Sequence, residues 1–572
     1  MNFRHVLCVM SVAGATLAAM PAALLAQPVT FVDQGGDWNA FTRKEFYARD
    51  QGSRLIALKW IAALKQENGL PFLDDSLSRY GYLPNPESSP PGLAVGFVIA
   101  NEGGEATLGL TCSACHTRQI DVDGKEYRID GGPAMADLWS LWSELDTAVG
   151  KVLSDPIAFA DFSKSVIGLN QTPAQEAALR QEVQAWYARS HAITELGLPA
   201  KRWGPGRIDA VGMILNRVTG LDIGKPPSYI NEKNIAPADA PVRPPFVWNA
   251  WRQDQTQWPG FAENGDDILA LARNSGEVYG VFGVAHPKRD QTHLLDIDYL
   301  HDNTVNFAGL EALEDLMRHI GPPRWPWSID ANLAAKGKQI FDWPTDRGGC
   351  VECHGIKPGQ PRLLTPDTWA TTIQDVGTDS REYHGLIRTA ETGVLEGAYI
   401  PIITDPLKAQ DSSVAVLGVV VEGAILQRFI PVSLNSLLRL DRDAAENLLE
   451  PQILALKNAF KKQDTKAPPV FKYESRVLQG IWAAAPYLHN ASVPSLAELL
   501  KPAAERVGDF KVGPAYDTVN VGLAANQTKF NYTMKTTDCG SRDSGDSRCG
   551  HEFGIKLSPE EKKALLEYLK TL

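Results

Sequence analysis

The sequence predicts a mainly α-helical protein with long ordered loops and few short strands. Apolar residues recur at helical spacing in several stretches, including residues 53–66 and 173–190. The chain of 572 residues contains 38 Pro and 48 Gly, so its helices must alternate with long loops. It also contains 14 Trp, whose large apolar surfaces can order such loops by burial. A third observation is a pentapeptide, Cys-x-x-Cys-His, that occurs twice and divides the chain into two regions.

The two pentapeptides predict two covalently bound c-type haems. They read Cys112-Ser-Ala-Cys115-His116 and Cys350-Val-Glu-Cys353-His354. In such a motif the thiols bind the haem vinyl groups, and the adjoining His ligates the iron. A redox or zinc Cys-x-x-Cys that happens to precede a His is the alternative. The chain has no other Cys-x-x-Cys with which to complete a zinc site, which disfavours that alternative. We therefore expect two cytochrome c-like haem domains.

Residues 1–26 are predicted to be a secretory signal peptide. Arg4 precedes an apolar run from Val6 to Leu25, and Ala26 offers a small residue for cleavage before Gln27. A membrane anchor is the alternative, but a Gly and a Pro interrupt the run, which is short for a span. We expect a mature protein that is periplasmic or secreted and has no membrane span. Export agrees with haem attachment, which takes place outside the cytoplasm.

Cys539 and Cys549 are the cysteines that remain once Cys8 and the four haem thiols are set aside. They lie ten positions apart in a stretch rich in Gly, Ser and Asp. In an oxidising compartment they are predicted to form a disulfide, with two free thiols as the alternative. Closing this short loop stabilises the fold by about 2–4 kcal/mol. The bridge is followed directly by His551.

Three regions follow the signal peptide. Residues 27–95 are predicted to form an N-terminal extension that ends in a Pro-rich segment, and residues 96–335 the first c-type haem domain. The turns at 321–327 mark its end, and residues 336–572 are predicted to form the second c-type haem domain. A helix over 330–341 is predicted to lead into the second pentapeptide. A helix over 558–570, capped by a Ser, is predicted to close that domain.

The formal net charge of −12 disfavours nucleic acid and anionic membrane surfaces as partners. It does not identify a substrate.

The second axial ligand of each iron decides the chemistry. A haem with two strong protein ligands mainly transfers electrons, whereas an open sixth position can bind oxygen or peroxide. Among the His residues outside the pentapeptides, His551 is favoured because the disulfide fixes its approach and the terminal helix follows it. His489 lies in a tight apolar turn, from which it could reach a haem edge.

Several motifs along the chain resemble those of a known protein family. Residues 480–494, GIWAAAPYLHNASVP, resemble the APYLHNGSVPTL signature of the bacterial di-haem cytochrome c peroxidase superfamily, with Ala491 in place of the usual Gly. Other stretches are similar to the branch that contains the di-haem rubber oxygenase and the periplasmic di-haem unsaturated fatty acid dioxygenases. These stretches are DQGSR at 50–54, LTCSACHT at 110–117, IDGGP at 129–133, WGPGRIDA at 203–210, VGTD at 376–379 and GHEFG at 550–554. The resemblance covers most of the mature chain in order.

The resemblance implies unequal roles for the two haems. The first, held by Cys112, Cys115 and His116, is implied to be the reaction centre, with an open or oxygen-bearing distal site in an apolar pocket. The second is implied to be six-coordinate. Its implied ligating and attaching residues are Cys350, Cys353, His354 and, as distal iron ligand, His551. His489 is implied to bond a haem propionate, with iron ligation as the alternative.

The aromatic tract at 244–261 suits an apolar cavity beside a haem. Phe246 or Phe261 is expected over the distal face of the first haem, and Trp248 or Trp258 between the haems. Ordinary core packing is the alternative for each of them.

Glu277 falls where the peroxidases carry a distal acid, which shuttles protons during O–O cleavage. A solvated or structural carboxylate is the alternative. Arg207 and Asp209 are predicted to form a buried ion pair or to contact a propionate.

Three functions remain open from the sequence. The favoured one is an oxygenase that adds O2 to a carbon–carbon double bond of a hydrophobic alkene, such as polyisoprene, an unsaturated fatty acid or an aromatic alkene. A di-haem cytochrome c peroxidase or peroxide-dependent oxidase, supplied by a small electron-donor cytochrome, is the second. A di-haem electron carrier is the third. A bound calcium ion is left open.

Overall fold

The structure is a computed structural model that describes residues 29–102, 104–264, 267–293, 295–362, 366–400, 403–429 and 470–572. The predicted signal peptide lies outside the described residues. Within these ranges, no helix combines the length and the apolar character needed to cross a membrane.

Helix is the main regular structure of the described chain. The α-helices are α1 (Ala40–Ala48), α2 (Leu58–Ala63), α3 (Cys112–Cys115), α4 (Leu138–Ser154), α5 (Pro156–Ile167), α6 (Pro173–Ala192), α7 (Ala210–Arg217), α8 (Asp267–Gly280), α9 (Phe307–His319), α10 (Ala331–Phe341), α11 (Val351–His354), α12 (Arg381–Leu386), α13 (Ser413–Phe429), α14 (Leu496–Leu499) and α15 (Pro559–Leu569). The predictions of α6, α10 and α15 are confirmed, each within two residues at either end. Ser558 caps α15 and forms a capping box with Glu561.

The helix predicted over 53–66 is wrong in its first half. Only Leu58–Ala63 is helical, because Ile56 and Ala57 pair instead with Leu108 and Thr107 of a distant strand. That pairing is a long-range contact, which the local spacing of apolar residues does not report.

The strands are short, as predicted, but they are not few. They are β1 (Thr30–Phe31), β2 (Ile56–Ala57), β3 (Phe97–Glu102), β4 (Glu105–Leu110), β5 (Thr117–Val122), β6 (Lys125–Asp130), β7 (Gln255–Thr256), β8 (Ala262–Glu263), β9 (Lys288–Arg289), β10 (Ile297–Asp298), β11 (Thr372–Gln374), β12 (Thr389–Glu391), β13 (Gln410–Ser412), β14 (Tyr473–Ser475), β15 (Asp509–Lys511), β16 (Tyr516–Asp517), β17 (Gly522–Leu523) and β18 (Thr533–Lys535). The described chain is therefore a mixed structure in which helix predominates, rather than the mainly α-helical fold that the sequence predicts.

Two three-stranded sheets hold the first pentapeptide. Their strand orders are β2-β4-β3 and β1-β6-β5, and the remaining strands of the described chain form two-stranded pairs. Strand β4 ends at Leu110, two residues before Cys112, and β5 begins at Thr117, directly after His116. The single turn of α3 is thus fixed at both ends by sheet hydrogen bonds, which limits how far the His116 side chain can move.

A helix pair holds the second pentapeptide. Helix α10 leads towards Cys350, and α15 packs against it at Gly337. A Cβ atom at Gly337 would lie 1.9 Å from the Ala564 carbonyl oxygen, so only glycine permits this approach. The arrangement of an entering helix and a closing helix is the one predicted for this region.

The core consists of two large hydrophobic clusters. One lies in the N-terminal half and includes Trp60, Trp142 and Trp203. The other contains side chains from both predicted haem domains, such as Trp248 and Trp482. The two pentapeptide regions therefore share a continuous apolar interior.

Candidate haem centres

His116 is held in the orientation of a metal-ligating imidazole. Its Nδ1 atom lies 2.9 Å from the Pro245 carbonyl oxygen. Because a carbonyl can only accept, Nδ1 carries the proton, and the lone pair of Nε2 is left free. Burial lowers the pKa of His116 to about 4, against the opposing effect of the bond to Pro245. The ring is therefore neutral at physiological pH, which is the protonation state that binds iron.

The first pentapeptide opens into cavity 1, which we define by Cys112, Cys115, His116, Phe246 and Glu277 in its wall. Cavity 1 contains about 1400 Å³ of space between atoms, part of it open to solvent, and most of its surface is apolar. Its apolar wall also includes Leu110, Ile208, Ile214, Val242, Val247, Leu310 and Met317. Among the described residues that line it, His116 is the only His. The cavity thus offers an apolar space directly at the first pentapeptide.

His354 repeats the arrangement of His116. Its Nδ1 atom lies 2.7 Å from the Arg476 carbonyl oxygen, so its Nε2 is free in the same way. Burial again lowers the pKa of this ring and keeps it neutral. It opens into cavity 2, which we define by Cys350, His354, Tyr487 and His551 in its wall. Cavity 2 contains about 990 Å³ of space between atoms, part of it open to solvent.

His551 faces His354 across cavity 2. The two ring centroids are 6.1 Å apart. Metal–imidazole bonds are about 2 Å long, so two rings on opposite sides of one iron have centroids roughly 6 Å apart. The Nδ1 atom of His551 is buried without a hydrogen-bond partner, and burial together with the charge of His354 lowers the His551 pKa to about 3. Both rings are thus neutral and spaced to share one iron, so the residues present fit a six-coordinate haem.

The predicted disulfide between Cys539 and Cys549 is confirmed. The next two residues, Gly550 and His551, have positive φ values of 71° and 49°. A Cβ atom at position 550 would lie 2.2 Å from the Val376 carbonyl oxygen, so a glycine is required there. The His551 amide donates to the same carbonyl at 2.8 Å. The covalent bridge and the sharp turn together aim His551 into cavity 2.

His489 lies in the wall of cavity 2 but is arranged differently from His551. Its Nε2 lies 2.9 Å from Asp379 Oδ2, and its ring stacks on Tyr473 at a centroid distance of 3.6 Å. Burial opposes ionisation of Asp379, but the His489 charge and hydrogen bond outweigh it and lower the carboxyl pKa. With Nε2 engaged in this pair, His489 is placed at a haem edge rather than as an iron ligand. Its predicted contact with a propionate stays a prediction.

The wall between the cavities is formed by Phe246, Trp258 and Arg476, which line both of them. Of the two Trp residues expected between the haems, Trp258 is the one that lies in this shared wall. Phe246 lies beside the first pentapeptide. Trp248 lines neither cavity. It is fully buried behind Phe246, on which it stacks at 4.7 Å, and its Nε1 donates to the Gln479 carbonyl oxygen at 2.7 Å.

The expectation that Phe261 faces a haem is wrong for this structure. Phe261 lines neither cavity and packs instead against Val211 and Leu215. The short hairpin of β7 and β8 begins to close at Gly260, whose φ is positive, and this turn carries Phe261 away from the other aromatic side chains.

Glu277 on α8 faces cavity 1. Gln257 Nε2 donates a hydrogen bond to its carboxylate. Burial raises the Glu277 pKa, against the opposing effects of Gln257 and Arg273. The thiol pKa values of Cys112 and Cys115 rise to about 12, chiefly by burial and next by the charge of Glu277. Glu277 is thus close enough to the first pentapeptide to influence it, and it can hold a proton.

The predicted pair of Arg207 and Asp209 does not form. Arg207 Nη1 bonds Asp546 Oδ1 at 2.8 Å, whereas Asp209 accepts from the Gly212 and Ala240 amides at the start of α7. Burial raises the Asp209 pKa to about 6. Each residue fixes a loop next to cavity 1, and the alternative contact with a propionate stays a prediction.

Arg476 and Glu474 were not predicted from the sequence. The Arg476 guanidinium lies 4.5 Å from the centroid of the Phe246 ring and 3.2 Å from Glu474 Oε1. Burial raises the Glu474 pKa to about 7, and the Arg476 charge opposes this rise. Their position just before the GIWAAAPYLHN stretch is the signal that could have directed attention to them.

A calcium site finds no support in the described ranges. Within them, no group of three or more His, Cys, Asp or Glu side chains is arranged to hold a metal ion.

Comparison with known proteins agrees with a haem protein. The family model described as "RoxA-like, cytochrome c-like" matches residues 472–511, which include Glu474, Arg476, Tyr487 and His489 of the cavity 2 wall. A domain of this kind implies covalently bound haem and is typical of exported proteins. Over this segment the chain is similar to RoxA-like cytochromes c.

Two relatives come from Sinorhizobium fredii (strain NBRC 101917 / NGR234). "Uncharacterized protein y4iJ" is 28% identical to this chain, and the alignment covers 95% of this chain and 93% of the relative. "Uncharacterized protein y4iM" is 23% identical over 57% of this chain and 63% of its own length. The first similarity extends over both pentapeptide regions, so it is not confined to the segment that the family model matches.

Proposed function

We propose that this chain is an exported c-type cytochrome enzyme with two haems of unequal role. One observation carries the proposal. Two imidazoles, His354 and His551, face each other across cavity 2, whereas His116 is the only His among the described residues that line cavity 1. The haem on His116 would then keep an open position for a reactant, and the haem on His354 would store and transfer electrons.

The proposed reaction is the addition of O2 to a carbon–carbon double bond of a hydrophobic alkene in cavity 1. The haem there supplies the site at which dioxygen is bound and activated. The apolar wall, including Ile208, Val242 and Phe246, excludes water and holds the alkene by burial. The resemblance to the rubber oxygenase and unsaturated fatty acid dioxygenase branch supports the same substrate class. The Glu277 carboxyl and Gln257 amide offer the polar groups that orient the reactants.

Oxygen uptake by the purified holoprotein tests this proposal. Oligoisoprene, linoleic acid and an aromatic alkene are each supplied without an added reductant, with the matching saturated compound as the control. We expect uptake with at least one alkene, none with its saturated analogue, and an oxygenated product of higher mass. An absence of uptake with all three alkenes, from a protein that carries both haems, contradicts the proposal.

A peroxide-dependent enzyme is the second candidate, and the position of Glu277 favours it. A carboxyl in the wall of cavity 1 can accept and return a proton as the O–O bond of hydrogen peroxide breaks. A small cytochrome would then supply electrons to the second haem. Turnover with hydrogen peroxide and a reduced cytochrome, but not with alkene and O2, selects this candidate.

For location, we propose the periplasm or the exterior of the cell. The predicted signal peptide and the cytochrome c-like match support this.

A further inference from the structure

A group of oxidisable aromatic rings lies apart from cavity 1. Trp325 and Trp327 come from the Trp-Pro-Trp turn after α9, and their ring centroids are 4.7 Å apart. Trp325 is 5.2 Å from Trp482, and Tyr516 is 6.2 Å from Trp482 and stacks on Trp327 at 6.3 Å. These four rings and Tyr487 are called the aromatic relay below.

The inner end of the relay is in the wall of cavity 2, where Tyr487 lies. The hydroxyl groups of Tyr487 and Tyr516 both donate to the Trp482 carbonyl oxygen, at 3.3 and 2.7 Å. The two hydroxyls therefore meet at one atom, although their residues are separated in sequence. The Trp482 carbonyl oxygen thus connects Tyr487, in the wall of cavity 2, to Tyr516.

The outer end of the relay reaches the surface. Trp325 lines an open cleft of about 1260 Å³ together with Arg324, Lys570 and Leu572. Trp325 and Trp327 are partly exposed, whereas Trp482 is fully buried. The Trp325 Nε1 atom is buried without a hydrogen-bond partner, and Lys570 Nζ lies 5.2 Å from the centroid of its ring. The Trp325 ring is thus at the edge of a cleft where a reductant can reach it, and the Trp327 ring packs beside it.

Apolar packing alone does not require this choice of side chains, because Phe or Leu would fill the same space without polar atoms to satisfy. Every member of the relay is a Trp or a Tyr, and indoles and phenols give up an electron more readily than other aromatic or aliphatic side chains. Contacting rings among Trp325, Trp327, Trp482 and Tyr516 have centroids 4.7–6.4 Å apart, and Tyr487 is linked to them through the Trp482 carbonyl oxygen.

We propose that the aromatic relay carries single electrons between the surface cleft and cavity 2. With hydrogen peroxide as the oxidant, peroxide takes up two electrons and two protons and gives two water molecules. Trp325 and Trp327 each supply one of these electrons and become radical cations that keep the Nε1 proton, which at Trp325 is buried; solvent supplies the two protons that peroxide takes up. A one-electron reductant in the cleft then returns one electron to each indole. The relay does not depend on which substrate occupies cavity 1.

The first test removes the inner link and leaves the exposed rings in place. The holoprotein is treated with two equivalents of hydrogen peroxide without a reductant, and oxidised tryptophan is mapped by peptide mass spectrometry. We expect oxidation of Trp325 and Trp327 to exceed that of Trp186, a partly exposed indole in the other core cluster, by at least fivefold. In the Tyr487→Phe/Tyr516→Phe variant this excess is lost. Equal oxidation in the variant and the parent overturns the proposal, since exposure alone would then explain it.

The second test changes the partly exposed Trp325 and Trp327, because substitutions at the buried Tyr487 and Tyr516 could prevent folding. Freeze-quench EPR of the peroxide-treated holoprotein is expected to show a tryptophan radical. We expect Trp325→Phe/Trp327→Phe to lose that signal and Trp186→Phe to retain it. A signal that is unchanged in the double variant overturns the proposal. Neither readout uses an alkene, so a failure of the oxygenase proposal leaves the result interpretable.

Discussion

Cavity 1 and cavity 2 begin from the same local structure and end with different walls. In both, a one-turn helix carries the pentapeptide, and the His Nδ1 atom bonds a backbone carbonyl, that of Pro245 or Arg476. The difference lies opposite that His. Cavity 2 places His551 there, whereas the described wall of cavity 1 has no second His and is mostly apolar, with polar groups such as Glu277 and Gln257. The attachment motif thus fixes where a haem is held, and remote loops decide what that haem can do.

The two carboxyl groups, by contrast, are held in the same way. Glu474 in cavity 2 accepts from Gln253 and pairs with Arg476, and Glu277 in cavity 1 accepts from Gln257 with the Arg273 charge nearby. Burial raises the pKa of both carboxyl groups, so each can hold a proton beside its cavity. The two cavities therefore differ in the His that faces the pentapeptide rather than in these carboxyl groups.

Replacing a proximal His is expected to give the largest effect on activity. His116→Ala should lower alkene-dependent oxygen uptake at least a hundredfold, because loss of even an outer-shell partner of a metal ligand costs roughly 10–100-fold. The spectrum of the second haem should persist. His354→Ala is the matched variant and should perturb the second haem while some uptake remains. If uptake is kept in His116→Ala and lost in His354→Ala, the haem on His354 is the reaction site, which contradicts the proposal.

Glu277→Gln separates the two candidate reactions. If peroxide cleavage uses this carboxyl as its acid and base, the rate with hydrogen peroxide should fall by about 10²–10⁴-fold. Alkene oxygenation should fall by less than about tenfold, because Gln keeps the shape and hydrogen bonding of the side chain. Initial rates with each reactant, measured on the same preparation, give the ratio. A large loss with alkene and none with peroxide contradicts both expectations.

Removing His551, the proposed second ligand of the haem on His354, should double the number of haems that bind carbon monoxide. The parent holoprotein should bind one equivalent per chain after reduction, at the haem on His116. His551→Ala removes the facing imidazole, so two equivalents are expected. His489→Asn is the control and should still bind one, because Asp379 holds that imidazole at the cavity edge. Two equivalents in the parent would mean that His551 is not a ligand.

The smallest effect concerns the pH dependence of the second haem. Burial raises the Glu474 pKa to about 7, so the group loses its proton as pH rises through neutrality. The new negative charge stabilises the ferric over the ferrous state, so the midpoint potential should fall with rising pH. The slope cannot exceed about 59 mV per pH unit for a one-electron couple, and the total should be some tens of millivolts. Potentiometric titration from pH 5.5 to 8.5 should show a flatter curve for Glu474→Gln. If Glu474→Gln and the parent give the same curve of potential against pH, Glu474 is not the group that titrates.

The elements that local sequence determines could be predicted well. Helix α15 has its capping box and its apolar spacing within a few residues, and α6 begins with a similar box at Thr172. The disulfide followed from counting cysteines, and His551 from its position beside that bridge. In each case the signal and the structure lie in the same short stretch of chain.

The features that depend on distant parts of the chain were missed. Residues 56–57 are strand because Leu108 and Thr107 are present to pair with them. Phe261 leaves the cavity because the turn at Gly260 redirects a single side chain, which aromatic composition does not report. Arg476 matters because its carbonyl meets His354 and its guanidinium meets Phe246, two contacts that no spacing rule connects. The fold class was overstated as helical for the same reason.

The bridge between Cys539 and Cys549 has a consequence for how the protein matures. In the exported protein proposed here, the four pentapeptide thiols must remain reduced until haem is attached, in the same compartment where this pair must oxidise. His551 is aimed into cavity 2 by that oxidised turn. Completion of the second centre therefore requires one pair of cysteines to oxidise while the other four are kept for haem.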